Sequence, residues 1–252
     1  LAGRVQWSAQ RLRLTAGRLS KGRAVIAVNL TAQLNDGGLS DESAVEAEVS
    51  VRDTEFEDLA ALAGRKDPVV GSVSGLLRVR GTRKEPRAAG WIEVRRGAAW
   101  EEPFDSLRSA VGVESGQVRL SNFRLSKGKG TVSGAAAFHL ERKEFQFDAR
   151  GENLALASIR RLAAETGAAV SGTATGEVAG SGRLAGADSA LEKLTLDGRL
   201  AVRGVAVEGH ALGDVSVTGR TSGDNLRLEL ESNFLGAKIA GQGEVVLRDQ
   251  FA

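Results

Sequence analysis

Apolar and polar side chains alternate one for one along most of this chain. Val45, Ala47, Val49 and Val51 are separated by Glu46, Glu48 and Ser50, Leu77 and Val79 by Arg78, and Ile92 and Val94 by Glu93. Phe145, Phe147 and Ala149 alternate with Gln146 and Asp148, and Leu226, Leu228 and Leu230 alternate with Arg227 and Glu229. The pairs Val118 and Leu120, Phe138 and Leu140, Val205 and Val207, and Val215 and Val217 follow the same rule. Successive side chains of a strand point to opposite faces, so each segment predicts a strand with one apolar and one polar face. One-sided strands of this kind predict an antiparallel sheet, because parallel strands are apolar on both faces. Asn35–Gly38, Glu114–Gly116, Ser126–Gly128 and Ser222–Asn225 supply the hairpin turns between them. Gly198, after Asp197, marks a candidate bulge.

Two segments break the alternation. Thr54 with Glu57 fits a capping box, Phe56, Leu59, Ala60 and Ala63 fall on one helical face, and Gly64 is a stop, which predicts a short helix over about 55–63. Ser158 as N-cap, Ile159, Leu162 and Ala163 as apolar face and Gly167 as stop predict a second over about 159–166. The spacing of these helices is close to that of a repeat. Arg18-Leu19-Ser20-Lys21-Gly22 returns 106 residues later as Arg124-Leu125-Ser126-Lys127-Gly128, and a degenerate third copy lies near Gly236-Ala237-Lys238. The division that follows is the end of one repeat in residues 1–43, a first full repeat in 44–143 and a second in 144–252. A module of alternating strands used repeatedly builds a surface rather than a pocket.

Composition narrows the functional classes. The chain of 252 residues holds 32 Gly and only 3 Pro, which fits many short turns. Its formal charge of +2 leaves no broadly basic surface, so nucleic acid is not an expected partner. The absence of Cys removes disulfides, thiolate metal sites and cysteine nucleophiles. No apolar run approaches the ~20 residues needed to cross a bilayer. With no Met and no signal peptide, the chain reads as an internal segment of a longer protein, with any membrane anchor outside it.

Three local patterns carry a family resemblance. One is the strand end Gly151-Glu152-Asn153-Leu154 leading into the short helix. Another is the step Val170-Ser171-Gly172-Thr173-Ala174-Thr175-Gly176 after it, echoed at Val73-Ser74-Gly75-Leu76. The third is the strand entry Gly128-Lys129-Gly130-Thr131-Val132-Ser133-Gly134. In their order along most of the chain, the sequence resembles the AsmA/TamB superfamily of Gram-negative envelope proteins. The resemblance implies a mainly β fold, an elongated antiparallel sheet folded lengthwise into an open groove (a β-taco, or repeating β-groove) with an apolar inside. It implies a periplasmic, inner-membrane-anchored bridge that carries phospholipid acyl chains between the membranes and assists outer-membrane protein assembly with a partner of the TamA or BamA type. It implies no catalytic residue and no cofactor. The chain departs from the family in showing neither an N-terminal anchor nor a recognisable C-terminal domain.

The candidate lining of such a groove is Val45, Val49, Val51, Leu77, Val79, Ile92, Val94, Val118, Leu120, Phe138, Leu140, Phe145, Phe147, Val205, Val207, Val215, Val217, Leu226, Leu228 and Leu230. Each buried methylene is worth about 0.8 kcal/mol, so such a groove needs only apolar contact to hold an acyl chain. Periodicity alone favours a closed sandwich or barrel core, and it is the 106-residue repeat and the order of the family patterns that favour an open groove; a structural or adhesive β-solenoid is the rival from another class, although no repeat of about 20–30 residues is seen. Other chemistry finds little support. His139 and His210 have no neighbours at ligand spacing. No G-x-S-x-G elbow occurs. Glu101, Glu102 and Asp105 read as a solvated turn rather than a glycosidase pair, and Gly180–Gly186 lacks the dinucleotide spacing. Arg160, Arg161, Lys127 and Lys129 are surface cations that could reach headgroup phosphates, and Trp7, Trp91 and Trp100 are candidates for the groove rims.

Overall fold

The computed structural model describes residues 2–21, 24–62, 69–185 and 190–247. The chain forms two compact units, 1–123 and 124–252. The first holds β1 (Ala2–Trp7), β2 (Arg11–Lys21), β3 (Ala24–Gln33), β4 (Ala44–Glu55), helix α1 (Phe56–Leu62), β5 (Val69–Thr82), β6 (Pro86–Ala99) and β7 (Glu102–Glu114). The boundary falls inside β8 (Gln117–Lys127). The second holds β9 (Gly130–His139), β10 (Glu144–Ala155), helix α2 (Arg160–Thr166), β11 (Val170–Ala185), β12 (Ala190–Val207), β13 (His210–Ser222), β14 (Asn225–Ser232) and β15 (Ile239–Val246). The strands are hydrogen-bonded strictly in chain order, an open antiparallel meander not closed into a barrel. The mainly β, antiparallel reading of the sequence is the observed one.

Register is fixed twice over. On one face, apolar residues stand opposite apolar residues. On the other, acids stand opposite arginines. Glu48 pairs with Arg78 (2.9 Å) and Glu46 with Arg80 (3.1 Å) across β4 and β5. Glu177 pairs with Arg199 (3.0 Å) and Asp197 with Arg220 (2.7 Å) in the second unit. Exposed pairs are each worth only about 0–1 kcal/mol. Their number and position matter more for register: a slip by one residue would turn every charge to the apolar face.

The strands are bent by bulges. At Ala16, Asp53, Arg96, Asn153 and Gly204 one strand carries an extra residue, and each of these has positive φ, between 46° and 60°. Asn122 in β8 has φ 52° as well. These residues fall on β2, β4, β6, β8, β10 and β12, the strands that run in one direction. An inserted residue loses its ladder partner and locally tightens the twist. In three cases a side chain of the following strand accepts the displaced N–H. Asn29 Oδ1 accepts from Ala16 (2.9 Å), Ser74 Oγ from Asp53 (3.1 Å) and Asp214 Oδ1 from Gly204 (2.8 Å).

Both helices start one residue later than the sequence pattern suggests. Thr54 is not a cap: it stays in β4, buried, and its hydroxyl donates to the Arg52 carbonyl (3.3 Å). Of the expected apolar face, Ala60 is buried and Phe56 and Leu59 half-buried, whereas Ala63 and the stop at Gly64 lie outside the described residues. Before α2 the chain makes a 3₁₀ turn over Leu156–Ser158, whose Ser158 hydroxyl donates to the Ala155 carbonyl (2.7 Å), and Ile159 takes the N-cap position. Gly167 does end α2, in the left-handed conformation, donating to the Ala163 carbonyl.

Burial is sparse. The accessible surface is 16796 Å², whereas two separate globules of half the mass would together expose about 12,800 Å². Among the described residues the fully covered apolar side chains are few and small, such as Ala32, Val73, Val94, Ala137, Ala174 and Val202, with Phe104 the one aromatic.

Candidate functional site

The candidate site is the apolar face of the sheet. In the first unit, Val28, Val49, Leu77, Gly90 and Val111 stand side by side across β3 to β7. So do Leu30, Ala47, Val79, Ala88 and Val113. Val45, Val51, Ile92 and Val94 occupy the flanking rows of the same face. Val118 and Leu120 are half-buried in β8, on either side of exposed Arg119.

In the second unit one row runs Val132, Gly151, Gly176, Leu200, Val217, Leu230, Gly241. Its neighbour runs Gly134, Ala149, Val178, Gly198, Gly219, Leu228, Gly243. Phe138, Phe145, Phe147, Val215 and Leu226 lie on the same face by pairing, and Val205 and Val207 continue it beyond the Gly204 bulge. Leu140 differs: the turn after β9 takes it out of the strand, and it is half exposed. No charged residue occupies the four rows named above.

Several lining residues escaped the sequence pattern. Leu12, Leu14, Val132, Leu154, Val178, Leu196, Leu200 and Val202 share the face by register. Alternation in Leu194-Thr195-Leu196 and Leu200-Ala201-Val202 carried a usable signal. For Val178 the neighbouring glycines and alanines obscured it.

Glycines open the face. Phe147 and Phe145 stack on one another with centroids 6.4 Å apart. Their rings lie over Gly180 and Gly182, where a β-carbon would come within 2.8 Å and 2.5 Å of ring carbons. Farther along, Gly151, Gly176, Gly198 and Gly219, with Leu154, Leu196, Leu200, Val217, Leu226 and Leu228, line an apolar cavity of about 360 Å³. The face is not covered: Leu200, Leu230 and Val245 are 43, 38 and 44% exposed. A core enclosed by a second sheet would bury them. The opposite face is also hollow. Arg150, Glu177, Asp197, Arg199, Arg220, Arg227 and Glu229 border a concavity of about 1070 Å³. A twisted sheet is saddle-shaped, so it is concave along one diagonal on each face.

The remaining candidates stand apart from these rows. His139 ends β9, and its Nδ1 accepts the Arg142 N–H (3.3 Å). Among the described residues no group of His, Asp and Glu has metal-site geometry. Glu101 is a residue of the β6–β7 turn, while Glu102 and Asp105 belong to β7. Arg161 pairs with Glu165 along α2 (3.8 Å). Trp7 ends β1 and Trp100 lies in the β6–β7 turn, both largely exposed, whereas Trp91 is mid-strand on the polar face. No helix among the described residues is long and apolar enough to cross a membrane. No known family model matches the chain, and neither a curated protein nor a solved structure does.

Proposed function

We propose that this chain is a non-enzymatic lining segment of an apolar conduit for phospholipid acyl chains, part of a periplasmic bridge of the AsmA/TamB kind. One observation carries the reading: an apolar sheet face whose central rows hold no charge, run from strand to strand and are left uncovered. Uncovered apolar area beyond a few hundred Å² marks a surface that meets something apolar. Leu, Val, Phe and Gly offer contact without a polar code, so such a face accepts acyl chains with little selectivity of headgroup or length. A second role within the same reading is help in outer-membrane protein assembly, with a TamA- or BamA-type partner.

Photocrosslinking residues placed at Val49, Val79, Phe147, Val217 and Leu228 test the conduit in cells. They are expected to capture phospholipid, while the same probes at Arg78 and Glu229 on the charged face are not. Equal labelling of both sets, or none at either, refutes it and returns the chain to a structural or adhesive role.

A further inference from the structure

The charged face of the first unit holds one arrangement that register does not require. Glu93 is the one charged residue among the described residues whose side chain is nearly buried, 10% exposed, and two arginines converge on it. Arg95 donates from Nε to Oε1 (3.0 Å) and from Nη2 to Oε2 (2.9 Å), and Arg108 donates from Nε to the same Oε1 (2.8 Å). Arg108 sits directly opposite Glu93 on β7. Sharing one carboxylate holds two like charges side by side. Both remain open to solvent, at 54 and 71% exposed. Asp53 adds a further pull on Arg95. The surroundings are hydroxyl-rich. Ser72 and Ser106 flank Arg95 across the strands, and Ser74 flanks Glu93. Trp91, half exposed, follows on the same face of β6.

We propose that this patch binds a phosphate-type oxyanion. Two guanidinium groups fixed by a buried carboxylate present outward N–H groups without the entropy cost of ordering long side chains. Serine hydroxyls can complete the shell, and Trp91 reports occupancy. The site faces away from the apolar rows, so it does not depend on the conduit reading. A free phosphate and a lipid headgroup at a membrane surface present the same chemistry to it.

The test uses the chain with Trp7→Phe and Trp100→Phe, leaving Trp91 as sole fluorophore, titrated with inorganic phosphate and separately with phosphatidylglycerol vesicles. A saturable change is expected that Arg108→Gln or Arg95→Gln weakens about tenfold or more, while Arg78→Gln, a paired arginine of the same face, leaves it unchanged. A response to vesicles identifies the headgroup source, and a response to phosphate alone identifies the free anion. No saturable response to either probe, or an unaltered response in both arginine variants, overturns the proposal. Circular dichroism checks folding. If Arg108→Gln does not fold, Arg95→Gln with Ser106→Ala decides by the same readout.

Discussion

Asp214 is the residue on which the bend of the second unit turns, and Asp214→Ala is the perturbation that shows it. Its carboxylate accepts the N–H that the Gly204 bulge displaces from the β12–β13 ladder (2.8 Å). Its own N–H donates to Asn233 Oδ1, and its carbonyl accepts from the Asn233 N–H (3.1 Å) and the Ser232 hydroxyl (3.0 Å). Alanine keeps these three bonds to the backbone of residue 214 and removes only the first. A hydrogen bond to a charged group is worth about 1.5–3 kcal/mol, but Asp214 is exposed and water can replace part of it. The expected loss is therefore about 1 kcal/mol, or about fivefold in local opening. Asp214→Asn keeps an acceptor oxygen in place and is expected to recover most of it. Two measurements check this: the urea midpoint, and amide exchange at Gly204, which should accelerate in Asp214→Ala more than at Val217. Equal behaviour of Ala and Asn variants, or acceleration spread evenly over β12 and β13, would refute the idea that this side chain holds the bulge.

Two glycines of one apolar row give opposite expectations. At Gly134 a β-carbon would overlap the Asp148 carbonyl oxygen and lie 2.9 Å from Ala149 Cα, so Gly134→Ala is expected to cost about 1–3 kcal/mol. At Gly243 nothing lies within 4 Å, so Gly243→Ala should be neutral or stabilise by up to about 1 kcal/mol. Urea titration that fails to separate them would show that the backbone yields at Gly134. The Glu93 carboxyl is held below its ordinary value of 4.5, first by the Arg95 hydrogen bond and then by Arg108, against the opposing effect of burial. A depressed carboxylate contributes stability above its unfolded pKa and loses it as pH falls through the folded pKa. Glu93→Gln is thus expected to be less stable than the parent at neutral pH, with the gap closing as pH drops below the ordinary carboxylate range. A gap independent of pH would contradict that assignment.

The alternation was legible because side-chain direction in a strand is a fixed property of the backbone. It placed Val49 and Leu77, or Leu228 and Leu230, on one face without any knowledge of their partners. It failed where the backbone changes phase. Val202 and Val205 share a face although they are an odd number of positions apart, because Gly204 is inserted between them. Leu120 and Phe123 in β8 are half-buried on the two sides of Asn122 in the same way. Ala16 and Arg96 give no local warning of such a slip. Asp53, Asn122 and Asn153 give a faint one, since Asp and Asn tolerate positive φ better than most residues. The helix start failed for a related reason. Thr54 satisfies a capping pattern, but pairing with Val73 holds it in β4, and tertiary pairing outweighs a local cap. Whether the apolar face is open could not be read from periodicity at all, because a covered face and an uncovered one need the same residues.

The bulges also say what the repeat repeats. β2 and β8 match at both ends with an offset of 106 residues, and their positive-φ residues Ala16 and Asn122 are the same distance apart. Asp53 and Asn153 are 100 apart, and Gly71 and Gly172 are 101 apart, each pair just beside a short helix. At these positions the residues differ while the backbone event recurs, so the repeat includes a bent strand as well as the Arg-Leu-Ser-Lys peptide that β2 and β8 share. That has a consequence for any function of the face. A strand that lost its bulge while keeping its pairing at one end would turn its apolar residues to the charged side for the rest of its length. In β12 this would bring Ala206 to the apolar side in place of Val205 and Val207, and break the rows of β11 and β13 beside it. Continuity of the apolar face past the bend therefore depends on each inserted residue staying out of the ladder as much as on the valines and leucines that line it.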